Sequence, residues 1–131
     1  MKRSRVLLDT QAFLWFVFAD PRLSSKAGKV IENSRVEKVL SIISLWEIAL
    51  KVSLRKLELG TTYDRFIEEN VRTRILEVLP VELAHLSSYT RLPFHHRDPF
   101  DRLLIAQCQV ERLPIVTVDA HFSPYGVDIV W

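Results

Sequence analysis

The sequence predicts an α/β fold, a parallel β-sheet of four to five strands with helices on both faces. Three observations predict it. Short apolar runs alternate with longer amphipathic stretches along the chain. The strand candidates are separated by helix candidates, the order of a parallel sheet covered on both sides. The 131 residues contain no repeat, low-complexity tract or linker, so residues 1–131 read as one domain.

Each element has a local signal. Residues 5–8 read as the first strand. Residues 11–18 form a short, very apolar helix ended by Asp20-Pro21. Residues 24–33 suit a polar helix capped by Ser24 or Ser25. Residues 36–43 are β-branched and apolar, hence a strand. Ser44 opens a helix with Leu45, Ile48, Ala49 and Val52 on one face, at i, i+3, i+4 and i+7. Residues 62–72 are a further helix, 75–79 a strand and 81–90 a helix. Asp98-Pro99 starts a helix that runs to about Glu111. Residues 115–118 and 128–131 are the last strands.

Composition narrows the function classes. With 48% apolar and 26% charged residues, the chain is globular, neither disordered nor fibrous. A net charge of +2 with a pI of 8.9 permits nucleic-acid binding without demanding it. The lone Cys108 cannot form an intrachain disulfide and reads as a buried, inert thiol, in keeping with a reducing cytoplasm. After the basic start, Val6-Leu7-Leu8 is too short for a signal-peptide core. No apolar run is long enough for a bilayer, so a cytoplasmic protein without membrane contact is expected. Gly28, Gly60 and Gly126 stand alone, which leaves no glycine-rich phosphate loop.

Active sites of open parallel sheets lie beyond the carboxyl ends of the strands. Asp9 follows the first strand, and Glu47 lies one turn into the helix after the second. Asp119 follows residues 115–118, and Asp98 and Asp101 open the helix leading into that strand. Acids gathered at one sheet edge repel one another unless a cation compensates them. Oxygen-only donors favour a hard cation, Mg²⁺ or Mn²⁺. Two such ions about 3.5–4 Å apart suit phosphodiester hydrolysis. Each acid also has a plainer reading. Ser44-x-x-Glu47 is a capping box, and Glu47 and Lys51 form an i, i+4 pair. Asp98 suits an N-cap before Pro99, and Asp101 suits the helix dipole. Asp9 and Asp119 could each cap the short helix that follows. Capping alone does not require all of them on one side of one sheet.

The residues also carry a resemblance. Leu7-Leu8-Asp9-Thr10, Ser44-Leu45-Trp46-Glu47-Ile48, the run from Arg97 to Gln107 around Asp98-Pro99-Phe100-Asp101, and Val116 to Phe122 stand in the order of the PIN-domain ribonucleases. The chain resembles in particular the VapC-type toxins of bacterial toxin–antitoxin pairs. The resemblance implies a PIN-like fold and a catalytic, metal-binding set of Asp9, Glu47, Asp101 and Asp119. It also implies a homodimer and a cognate antitoxin that covers the site, with RNA as substrate.

Around the acids, Thr10, Ser44 and Thr117 are expected to orient carboxylates. Asp98 is placed behind the metal site or as a cap. Lys51, Arg97 and Arg102 are the preferred RNA contacts, with Arg55, Arg91, His95 and His96 as further members of a basic rim. For His95-His96 a loop role or RNA contact is favoured over metal binding or acid–base work. The aromatic helix around Phe13, Trp15, Phe16 and Phe18 is part core and part surface for a partner. The expected activity is Mg²⁺-dependent hydrolysis of RNA, with Mn²⁺ as a substitute. A structure-specific or RNA-processing nuclease is the enzymatic alternative. A phospho-receiver or protein-interaction module is the non-enzymatic one.

Overall fold

In the computed structural model, which describes residues 4–74 and 76–131, five strands form one parallel sheet in the order β3-β2-β1-β4-β5. β1 (Ser4–Leu8) leads through α1 (Thr10–Val17) and α2 (Ser25–Glu32) to β2 (Val36–Ser41). From there α3 (Ile42–Ser53) and α4 (Tyr63–Ile67) lead to β3 (Glu77–Leu79), with wider, π-type turns over Glu68–Arg72 between them. α5 (Leu83–Thr90) and α6 (Pro99–Glu111) return the chain to β4 (Ile115–Val116). One 3₁₀ segment, Ala120–Tyr125, precedes β5 (Ile129–Val130). The expected α/β architecture with five strands is therefore present. The basic residues at positions 1–3 and Ile75, the first residue of the expected third strand, lie outside the described residues.

Strand periodicity divides the core. In β1, Val6 and Leu8 face the layer containing Phe13, Ala27, Ile48 and Phe66. Leu7, between them, faces Leu104, Ile105 and Phe122 on the other side. A strand buried on both faces reads as a continuous apolar run, which is why Val6-Leu7-Leu8 has no polar alternation. Helices accordingly cover both faces, and among the described residues none is long and apolar enough to cross a membrane.

Of the element boundaries that shift, the one that bears on the site is the start of α3. The second strand stops at Ser41, not Ile43, and Ser41 caps α3 by accepting the Ile43 N–H at 3.0 Å. Capping there outweighs the β-propensity of Ile42-Ile43, and Ile43 packs into the core as a helical residue. Ser44 is consequently not the cap, and the expected Ser44-x-x-Glu47 capping box does not form.

The strand order sets the site. The chain moves from β1 to β2 and β3, then crosses back to β4 on the other side of β1. The carboxyl ends of β1 and β4 thus flank the topological switch point, where a crevice opens. The Asp9 N–H donates to the Val116 carbonyl at 3.0 Å, so the two strand ends are tied together there.

Candidate active site

Asp9 leaves β1 and caps α1, accepting the Ala12 N–H at 2.7 Å on Oδ1. Its Oδ2 accepts the Thr117 hydroxyl. Thr117 Oγ1 in turn accepts the Asp119 N–H at 3.0 Å. One buried threonine therefore links the first acid to the loop carrying the fourth, in line with the expectation for Thr117. Thr10 donates from Oγ1 to Ser44 Oγ at 2.8 Å, which joins the first turn of α1 to that of α3. Both hydroxyls are buried, so this pair fixes the spacing between the helices bearing Asp9 and Glu47.

Asp98 caps α6, accepting the Phe100 N–H at 2.8 Å and the Asp101 N–H at 3.3 Å on Oδ1, with Pro99 at the first helical position. Of the two roles expected for it, the cap is the one seen. Its geometry holds Asp101 at the mouth of the crevice. Glu47 makes the expected pair with Lys51, Oε2 to Nζ at 3.2 Å.

The acids share one electrostatic environment. Burial raises the affinity of the Asp101 carboxyl for a proton, and the charges of Asp98, Asp9, Glu47 and Asp119 add to this, pushing it up to about 8. Burial likewise raises Asp9, against the opposing N–H of Ala12 and hydroxyl of Thr117, while Glu47 and Asp119 push it further up. Burial also raises Asp119, but the His121 N–H and the His96 and His121 rings outweigh it and hold that carboxyl low. The set carries more negative charge than the protein neutralises.

Arg102 does not supply the missing positive charge. The expectation of an RNA contact there is corrected by its position: the side chain is 3% exposed. Its guanidinium donates to the carbonyls of Pro93 at 2.9 Å and Leu92 at 3.4 Å, and it packs on the rings of Phe94 and Tyr89. It is a strut for the segment before α6. Arg97, between His96 and Asp98 in the chain, is exposed, as are Arg55, Arg91 and His95.

Two histidines not counted among the expected ligands stand against the acids. His96, expected as a loop or RNA-contact residue, has its Nε2 2.8 Å from Asp119 Oδ2 and 3.1 Å from Asp101 Oδ2. His121 meets Asp119 Oδ1 through both its N–H, at 2.8 Å, and its Nδ1, at 2.9 Å. The reason is tertiary. Tyr125 accepts the N–H groups of His95 and His96 at 2.9 and 2.8 Å and donates to the Pro93 carbonyl at 2.7 Å. Together with Arg102 it folds the segment before α6 back over the crevice. Its sequence signal is slight: His96 stands two residues before a helix cap.

Ligand atoms of His96, Asp101 and Asp119 lie within 4.8 Å of one another. The half-buried carboxylates of Asp101 and Asp119, with the buried Asp9 oriented by the Thr117 hydroxyl, fit a hard divalent cation.

A family model described as PIN domain matches residues 6–127. No curated protein matches the sequence significantly. Among solved structures, FitAcB from Neisseria gonorrhoeae superposes with a TM-score of 0.70 at 18% identity, covering 95% of each chain. VapBC2 from Rickettsia felis, bound to a DNA fragment from their promoter, gives 0.71 at 14% identity, covering 95% of this chain and 96% of that one. A toxin–antitoxin complex from Klebsiella pneumoniae gives 0.60 at 16% identity, with 87% and 86% covered.

Proposed function

The chain belongs to the PIN-domain family, and from that premise we propose that it is a metal-dependent endoribonuclease and the toxin of a toxin–antitoxin pair. The observation that supports the chemistry is the Asp101 carboxyl, whose proton affinity burial raises and the charges of Asp98, Asp9, Glu47 and Asp119 raise further. Asp9, Asp101 and Asp119 would hold the cation, with Glu47 completing the set and Mg²⁺ or Mn²⁺ suiting the oxygen donors. Such a cation, when bound, supplies positive charge to the phosphodiester and makes an attacking water more acidic.

The remaining chemistry belongs to the chain. A carboxylate of the set accepts the proton of the attacking water. Thr117 keeps Asp9 oriented, and the Thr10–Ser44 pair keeps the two helix starts in register. Arg97, exposed and next to Asp98 in the chain, and Lys51, held at Glu47, are cations available to RNA phosphates.

The toxin role is supported by the fold shared with the Klebsiella pneumoniae toxin–antitoxin complex and with VapBC2, beside the resemblance of the motifs to VapC-type toxins, and the same likeness supports an antitoxin partner. Self-association is supported by an exposed apolar groove lined by Ile43, Trp46, Leu86, Tyr89, Phe100 and Leu103. The cytoplasm is the compartment that matches an RNA substrate.

The test is cleavage of structured RNA in Mg²⁺, beside DNA of the same sequence. RNA cut by the wild type, and left intact by Asp9→Asn, by Asp101→Asn or with chelator present, is expected. Undiminished cutting by either variant contradicts the assignment. DNA cut equally well favours the structure-specific nuclease. Neither cleavage nor a thermal shift with Mn²⁺ favours an interaction module.

A further inference from the structure

His96 sits where a metal-binding nitrogen would, yet its hydrogen bonds argue against that role. The Asp98 N–H donates to His96 Nδ1 at 3.1 Å. A backbone amide cannot give up its proton, so Nδ1 must present a lone pair. The ring proton is then on Nε2, the atom 2.8 Å from Asp119 Oδ2 and 3.1 Å from Asp101 Oδ2. Histidines that bind metals show the reverse pattern, with the second nitrogen donating to a carboxylate or carbonyl while the first offers its lone pair to the ion. Here the lone pair points to the backbone and the N–H to the acids.

The ring is held in this pose. Tyr125 accepts the His96 backbone N–H at 2.8 Å, and the ring packs edge-on against Phe122 and His121. A flip of the ring about Cβ–Cγ would put Cδ2–H against the Asp98 N–H and Cε1–H where Nε2 stands, forfeiting both hydrogen bonds.

We propose that His96 is a positioning residue whose Nε2–H, its tautomer fixed by the Asp98 amide, holds Asp119 beside Asp101 and leaves the metal site with oxygen donors only. The inference rests on the metal-dependent reading of the site. It extends that reading by assigning a residue outside the four acids and by giving the site a selectivity, for hard cations over those that prefer imidazole.

The test combines Mn²⁺ binding, followed by electron paramagnetic resonance, with the tautomer of His96 read from long-range ¹⁵N spectra of the imidazole. His96→Ala is expected to weaken Mn²⁺ binding about tenfold, in the range seen when groups that orient metal ligands are removed. His96→Gln, which keeps an N–H near the position of Nε2, is expected to restore most of the loss. The wild-type spectrum is expected to show the Nε2-protonated form both without cation and with Mg²⁺. Three results overturn the proposal: native binding by His96→Ala, no recovery in His96→Gln, or loss of the Nε2 proton when Mg²⁺ or Zn²⁺ is added. The spectra use the wild-type protein and decide the matter even if His96→Ala does not fold. Absence of Mn²⁺ binding by the wild type overturns the metal-site reading itself, and the proposal with it.

Discussion

At the scale of single residues, Asp101 and Asp119 are neighbours with opposite titrations. Asp101 is half-buried among acids, and Asp119 accepts three N–H groups from two histidines. The folded protein keeps a proton on Asp101 up to about pH 8, whereas the unfolded chain releases it near 3.8. The folded state therefore binds more protons across that window, and stability falls as pH rises through it. Thermal melts of the metal-free protein are expected to drop from pH 5 to pH 8, and Asp101→Asn should flatten that slope. Asp119 acts in the other direction, contributing stability above its ordinary range that is lost as acid protonates it. Added Mn²⁺ should raise the melting temperature most at pH 8, where its charge offsets the most repulsion. The acids themselves were legible in the sequence because each follows a strand or opens a helix. His96 and His121 were not, because what brings them to Asp119 is contact between distant segments.

At the scale of elements, the informative difference lies at the start of α3. Two isoleucines after Val39-Leu40 look like strand, yet a serine hydroxyl at position 41 ends the strand and caps the helix. Ser41→Ala should cost about 1 kcal/mol in chemical denaturation, the usual loss for an N-cap. That shift frees Ser44 from the cap, and its hydroxyl, expected at a carboxylate, meets Thr10 instead. α6 shows the same limit of local reading. Asp98-Pro99 marked its start correctly, but an arginine one residue past the third acid looked like a phosphate contact and proved to be a buried strut. Arg102→Ala leaves the carbonyls of Leu92 and Pro93 short of a partner and is expected to destabilise the protein by about 3 kcal/mol. Faster amide exchange at residues 92–96 would accompany it. Arg97→Ala, on the surface, should leave stability unchanged and weaken RNA binding with a shallower salt dependence.

At the scale of the molecule, the strand order makes the site. Any chain folded as β3-β2-β1-β4-β5 opens a crevice between the carboxyl ends of β1 and β4. This chain places Asp9 and Asp119 on its two lips, and α3 and α6 deliver Glu47 and Asp101 from the sides. The parallel architecture was legible because buried strands are apolar without alternation and the intervening helices carry caps and periodic faces. The short β4 and β5 were less so, since Ile115–Val116 and Ile129–Val130 are defined by their partners rather than by their own length. The account as a whole stands on the claim that the acids at this crevice hold a divalent cation. Anomalous diffraction from crystals grown with Mn²⁺ tests it most directly. The account predicts a peak bounded by Asp9, Asp101 and Asp119, with His96 Nε2 outside the coordination shell; a crevice with no peak, or manganese bound only elsewhere, would contradict it.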